Sequence, residues 1–146
     1  EAVILASVVE KETGLAEERP LVAGVFINRL RIGMKLQSDP TVVYGMELAH
    51  GGKPLGRALT RADLLADTPH NSYTRTGLPP TPICHPGKAA MEAVLNPAAT
   101  DALYFVATGR GGHRFAATLA EHERNVAAYR AALRQPTPSP AASSPN

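Results

Sequence analysis

The spacing of apolar and polar positions changes several times along this chain, and each change marks an element. Residues 2–9 are almost wholly apolar and contain neither Gly nor Pro. Such a run fits a buried strand or a buried helix. The Glu-Lys-Glu that follows favours helix, because these residues are good helix formers. A helix over residues 2–13 is therefore expected, with Gly14 as the left-handed residue that ends it. Residues two apart lie about 200° apart around a helix axis, so Glu10 and Glu12 face nearly opposite ways. Glu12 falls over Leu5, Val8 and Val9. Glu10 falls over Val3, Ala6 and Ser7, a smaller and more polar face.

Pro20 suits a first helical turn, and Val22, Val25, Phe26 and Arg29 keep helical spacing through Leu30, with Gly33 as the stop. Asn28 and Arg29 read as solvent-facing positions of that helix. Ser38 or Asp39 can cap a short helix starting at Pro40 and ending at or just beyond Gly45. Residues 50–59 read as a surface loop, and Thr60 can cap a short helix over residues 61–65. Residues 68–86 carry Pro69, Pro79, Pro80, Pro82 and Pro86. A rigid, irregular stretch of that length is often functional. Its Asn71, Tyr73 and Thr74 suit hydrogen bonding to hydroxyl or amide groups.

A further helix is expected from Pro86 and Gly87 to Leu95. Residues 102–107 and 113–116 flank a Gly-rich turn and predict a β-hairpin. Thr118 and Glu121 form a capping box for a last helix over residues 119–134. Its stripe of His122, Val126, Tyr129 and Leu133 makes His122 a core histidine. The expected fold class is α+β: a mostly helical single domain over residues 1–135, with a small antiparallel hairpin and a long Pro-rich loop. Residues 136–146 have no apolar pattern and read as a disordered Pro/Ser-rich tail.

Composition narrows the function classes. The chain has 146 residues, 44% hydrophobic and 19% charged, which suits one ordinary globular domain. A net charge of +2, with no Trp and no Lys/Arg run, argues against nucleic acid as a partner. Cys84 is the only cysteine, so no internal disulfide and no cysteine metal cluster is expected. No stretch has the length and apolarity of a membrane span. The chain begins inside an apolar helix without an N-cap, so the natural protein is expected to continue upstream, where any anchor would lie.

Glu12 carries the main chemical expectation. A carboxylate over apolar side chains is poorly solvated, which raises its pKa. The negative end of the helix dipole acts the same way. Both favour the protonated form that a general acid needs. From this stretch alone, two solvated glutamates at a helix end remain an alternative.

The motifs ASVVEKET, VFINRL, LQSDPTVVYGM, NSYTRTGLPPTPI, LYFVATGRGGHRF and a closing helix with Glu-His occur in that order. Together they resemble the catalytic domain of the endolytic murein transglycosylases, the YceG-like family, over roughly residues 1–135. The resemblance implies cleavage of peptidoglycan glycan strands between N-acetylmuramic acid and N-acetylglucosamine, without water, leaving 1,6-anhydromuramic ends and limiting strand length. It implies an upstream anchor in the inner membrane, action on the periplasmic or extracytoplasmic side, and proximity to penicillin-binding proteins. It makes the second glutamate of the Glu-Lys-Glu triplet, Glu12, the catalytic one. No metal or organic cofactor is required. The family usually reads Tyr-Asn-Thr-Tyr where His70, Asn71, Ser72 and Tyr73 stand here. Thr81 replaces a usual Gly, and Cys84 and His85 precede Pro86.

The candidate substrate-binding residues are Gln37, Asp39, Asn71, Tyr73 and His113. Helix capping alone would also account for Asp39, and His113 beside its Gly-rich turn suits a structural role equally. Two other functions fit the same residues. One is a hydrolytic muramidase that pairs Glu12 with Asp39; the other is a non-catalytic glycan-binding module. A pyridoxal-phosphate lyase is disfavoured, because none of Lys11, Lys35, Lys53 and Lys88 sits beside a phosphate loop.

Overall fold

The apolar N-terminal run folds as a helix, α1 (Ala2–Glu12), and buries Leu5, Ala6, Ser7, Val8 and Val9. The computed structural model describes residues 1–135; the stretch 136–146, read above as a tail, lies outside them. A 3-10 turn (Ala16–Glu18) leads into α2 (Arg19–Arg31). Then follow α3 (Asp39–Ala49), α4 (Arg61–Leu65), α5 (Lys88–Leu95), the hairpin strands β1 (Tyr104–Ala107) and β2 (His113–Ala116), and α6 (Leu119–Arg134). The class is α+β, as the periodicity predicts. The two strands are antiparallel, with Phe105 opposite Phe115 and Ala107 opposite His113.

The core lies where α1, α2 and α5 meet, around Val8, Val9, Val22, Phe26 and Leu36, all 0% exposed. Burial of this set is the main stabilising term, roughly 1.5–3 kcal/mol for each large side chain. The hairpin joins the core through Phe105, which meets the Phe26 ring edge-on at 5.8 Å. Helix α6 covers the other side of the hairpin. It does so more loosely than its stripe suggests. No residue of α6 is fully buried, Leu133 is 62% exposed, and His122 stacks on Tyr104 at 4.9 Å instead of entering the core.

Several local expectations are corrected. Gly14 does not end α1 in the left-handed region. The chain turns at Thr13, which is extended at φ −141° and ψ 142°. Its hydroxyl accepts from the Leu15 N–H and donates to Glu18, a local bond that competes with helix. Gly45 does not end α3, which runs on to Ala49. Gly45 is there for close approach: a Cβ on it would lie 2.2 Å from the Thr68 hydroxyl oxygen. Thr118 accepts from the Glu121 N–H, which is half of the expected box; the reciprocal pair is found at Thr60 and Asp63.

The long loop after α4 is fixed by its own side chains. Asn71 is fully buried and donates to the Leu64 and Ala66 carbonyls, while its oxygen accepts from the Tyr73 and Thr74 N–H groups. Further on, the Ile83 N–H donates to the Ser7 hydroxyl at 3.0 Å, which pins the loop to α1.

Candidate active site

Glu12 is the last residue of α1, so its side chain leaves the helix where the backbone turns away. It opens into a cavity of about 210 Å³. Gln37, Asp39 and Tyr73 form one wall; β1 and His113 form the other; Arg29 lies between them. Glu12, Gln37, Asp39, Tyr73 and His113, the residues expected at a site from the sequence, all line this one space. Asn71 does not line it. Its amide is fully engaged inside the loop, so it shapes the path that brings Tyr73 to the wall and is corrected from sugar contact to loop organiser.

The Glu12 carboxyl is held at one oxygen. The Ser38 hydroxyl donates to Oε2 at 2.8 Å. Ser38 is itself fixed, because its N–H donates to the Ser72 hydroxyl at 2.9 Å, and Ser72 and Thr41 share a hydrogen bond of 2.7 Å. Ser38 occupies the N-cap position of α3 but makes no side-chain cap; its hydroxyl serves Glu12 instead. Burial pushes the Glu12 carboxyl above the usual range. The Ser38 bond opposes this, the Asp39 charge adds to it, and His113 and Arg29 work against it. The net direction is upward, towards a proton donor.

Tyr73 donates to Asp39 at 2.5 Å. Burial and this bond to a carboxylate both push the phenol up, so it stays protonated at neutral pH. Gln37 has φ of 51°, the one non-glycine residue in the left-handed region among the described residues. Strain of that kind at a cavity wall is a mark of a working site. Its N–H donates to the Ser72 carbonyl at 3.2 Å, which holds the turn.

Three residues of the site escaped sequence reading. Arg29, read as solvent-facing, is 6% exposed. Its Nε donates to the Leu103 carbonyl at 2.7 Å and its Nη1 to the Leu36 carbonyl. Asn28 is likewise engaged, donating to the Thr100 and Ala102 carbonyls at 2.8 and 3.0 Å. Ser38 is the second omission. Glu18 is the third: its two oxygens accept from the backbone N–H and the ring Nδ1 of His113, each at 2.7 Å. That clamp leaves Nε2 as the nitrogen available to the cavity. Burial pushes the Glu18 carboxyl up, but the His113 and Thr13 bonds outweigh it and hold it below the usual range. Each partner of these residues lies far away in sequence or on another element, so no local pattern announces it.

Two departures from the usual family motif meet in space. The His70 ring Nε2 and the Thr81 hydroxyl lie 2.8 Å apart, and His70 is 5% exposed. They act as one structural pair in the loop and stand apart from the Glu12 cavity. Among the described residues, no three His, Cys, Asp or Glu side chains are grouped to hold a metal ion. No helix among them is long and apolar enough to cross a membrane.

The arrangement supplies one carboxylic acid with a raised pKa, a second carboxylate held by a phenol, a clamped imidazole and an amide, all facing one cleft. That set suits proton transfer to a neutral, hydroxyl-rich ligand. The endolytic murein transglycosylase of Bacillus subtilis (strain 168) is 42% identical over 125 residues, covering 86% of this chain and 33% of that protein. The endolytic murein transglycosylase of Streptococcus pneumoniae serotype 2 (strain D39) is 40% identical over 135 residues, covering 88% of this chain and 23% of that protein. A 2.6 Å crystal structure of a yceG-like protein from Listeria monocytogenes superposes with a TM-score of 0.74 at 41% identity, over 82% of this chain and 38% of that one. The chain therefore spans about a third or less of the curated relatives it matches. The family model described as YceG-like matches residues 1–128, and the chain belongs to the YceG-like family.

Proposed function

We propose that this chain is the catalytic region of an endolytic murein transglycosylase. Its substrate is the peptidoglycan glycan strand, cut between N-acetylmuramic acid and N-acetylglucosamine. The observation that carries the reading is Glu12: one buried carboxyl, pushed towards its protonated form and steadied by Ser38, at the edge of a polar cleft.

Protonated Glu12 donates to the glycosidic oxygen, and the bond to C1 breaks. The positive charge at C1 is shared with the ring oxygen or the neighbouring N-acetyl group. Glu12, now a carboxylate, takes the proton from the sugar's own O6 hydroxyl as that oxygen closes on C1. The product end is a 1,6-anhydromuramic acid, and new ends of this kind limit strand length. One residue thus serves both proton transfers, where ordinary glycosidases use two carboxyls. Gln37, Tyr73 and the Nε2 of His113 orient the sugar. Asp39 holds the Tyr73 phenol in place.

A second reading is favoured by one observation: Asp39 lines the same cavity as Glu12. A second carboxylate there suits activation of water, which makes the enzyme a hydrolytic muramidase. Mass spectrometry of products released from purified sacculi decides between them, because the anhydro product is one water lighter. No release of either product would leave a glycan-binding module. On this reading the region works outside the cytoplasm, where peptidoglycan lies, with membrane attachment supplied by another segment and penicillin-binding proteins as neighbours.

A further inference from the structure

A second hollow, about 420 Å³, lies beside the Glu12 cavity and shares Asp39 with it. Its floor is one face of α3, where Pro40, Val43 and Tyr44 recur at helical spacing, closed on the other side by Ile83 of the long loop. Lys11, next to Glu12 on α1, stands at its near end and makes no ion pair among the described residues. Glu47 stands at its far end. One Glu47 oxygen accepts from the Leu55 N–H at 3.2 Å, which leaves the other for a ligand. Beyond Glu47 comes a further hollow of about 300 Å³, bordered by Lys53. A trough therefore runs from the Glu12 cleft along α3, and beyond Asp39 at its mouth its charges alternate: Lys11, Glu47, Lys53. From Asp39 to Glu47 the helix rises about 12 Å, the span of three to four extended residues.

We infer that this trough binds the stem peptide carried by the muramic acid, with Lys11 on the carboxylate of its γ-linked D-glutamate and Glu47 on the amine of its diamino acid. This rests on the murein reading above. A peptidoglycan stem presents carboxylate, then ammonium, then terminal carboxylate outward from the sugar, the complement of Lys11, Glu47 and Lys53 in that order. The peptide-free glycan offers hydroxyl and acetamide groups and the lactyl carboxylate of its muramic acid, which leaves Glu47 and Lys53 unpaired. The apolar floor suits the alanine methyl groups and the aliphatic chain of the diamino residue.

The test is titration of the Glu12→Gln full chain with the soluble tetrapeptide L-Ala-γ-D-Glu-L-Lys-D-Ala, followed by NMR and calorimetry. Resonances of Lys11, Val43, Tyr44 and Glu47 should shift. Adding Lys11→Glu should weaken binding at least tenfold, and so should Glu47→Gln, which keeps the acceptor for Leu55. Amidating the glutamate carboxylate of the peptide should abolish the effect of Lys11→Glu. Absence of binding, shifts confined to other surfaces, or equal affinity for Lys11→Glu would overturn the inference. So would a peptide-free chitooligosaccharide shifting the same residues. Because the readout is binding, it stands apart from turnover: a chain that binds the peptide but releases no glycan product defeats the catalytic reading alone.

Discussion

Ser38 and Glu12 lie 26 residues apart and meet through a 2.8 Å hydrogen bond from hydroxyl to carboxyl. That contact pulls the Glu12 pKa down while burial pushes it up. Ser38→Ala removes the downward pull, so the alkaline limb of the kcat/KM profile should move to higher pH. Loss of a hydrogen bond to a charged group, about 1.5–3 kcal/mol, should also lower the maximal rate tenfold or more. A pH–rate profile with an unmoved alkaline limb would show that another group governs it.

Glu12→Gln keeps the side chain's shape and removes the transferable proton. Activity on sacculi should fall by at least about 10²–10⁴-fold, the usual size of general acid–base catalysis. Stability should go the other way. The folded chain holds the Glu12 proton more tightly than the unfolded chain, whose carboxyl has the ordinary value of 4.5. Wild-type stability is therefore full below about 4.5 and declines as pH rises through the raised folded value. Gln is neutral throughout, so the Tm advantage of Glu12→Gln should widen with rising pH and then level off. Melting curves across pH check this.

Glu10 provides the contrast. Its Oε1 accepts from the Gly87 N–H at 2.8 Å, where α5 begins, and its Oε2 lies 3.6 Å from Arg19. Glu10→Gln keeps an acceptor for Gly87 and should leave turnover within a few-fold of wild type. Glu10→Ala leaves that N–H without its partner and should cost about 1 kcal/mol of stability. Loss of turnover in a folded Glu10→Gln, with Glu12→Gln still active, would reverse the assignment.

Glu18 holds the ring and the backbone of His113 together. Its folded pKa is lowered, so its contribution to stability is present above the ordinary value and is lost as pH falls through the folded one. Glu18→Gln should therefore flatten the acid side of the Tm–pH curve. Freed from its clamp, His113 misorients, and displacements of this kind cost up to about 10²-fold in rate. His113→Gln should then add little further loss in the Glu18→Gln background, and kinetics of the double variant measure this.

Gly45 touches Thr68 across the gap between α3 and the long loop. Gly45→Ala forces the two apart and should destabilise by about 1–3 kcal/mol. Thr68→Ala removes the hydroxyl that the new Cβ meets at 2.2 Å, so the double variant should recover part of the loss. Chemical denaturation of the three variants tests the pairing.

Placement was legible in the sequence where it followed from spacing along one element. Glu12 is found by counting around α1, and Gln37 and Asp39 by the turn that opens α3. The hairpin and its His113 follow from a strand period broken by glycines. It was not legible where a side chain's partner lies elsewhere in the fold. Arg29 looks like any exposed helical arginine until α2 is set against the chain entering β1. Asn71 looks like a ligand group because its polarity is visible and its four internal partners are not. Gly45 has the appearance of a helix terminator, and only the approach of Thr68 explains it. The pairing of His70 with Thr81 joins positions on either side of a proline-rich bend, and neither residue alone suggests it.

Arg29 has one more consequence. Its guanidinium reaches the carbonyl of Leu36, just before the segment that carries Gln37, Ser38 and Asp39, and the carbonyl of Leu103, just before β1. The two rims of the Glu12 cleft are thus braced against each other by a single buried strut rooted in α2. Narrowing or spreading the cleft would strip a buried cation of its acceptors, which is strongly unfavourable. The gap between the rims is set before any ligand arrives. The cleft therefore selects by gauge: its width is a fixed property of the fold, held by the one guanidinium that both rims share.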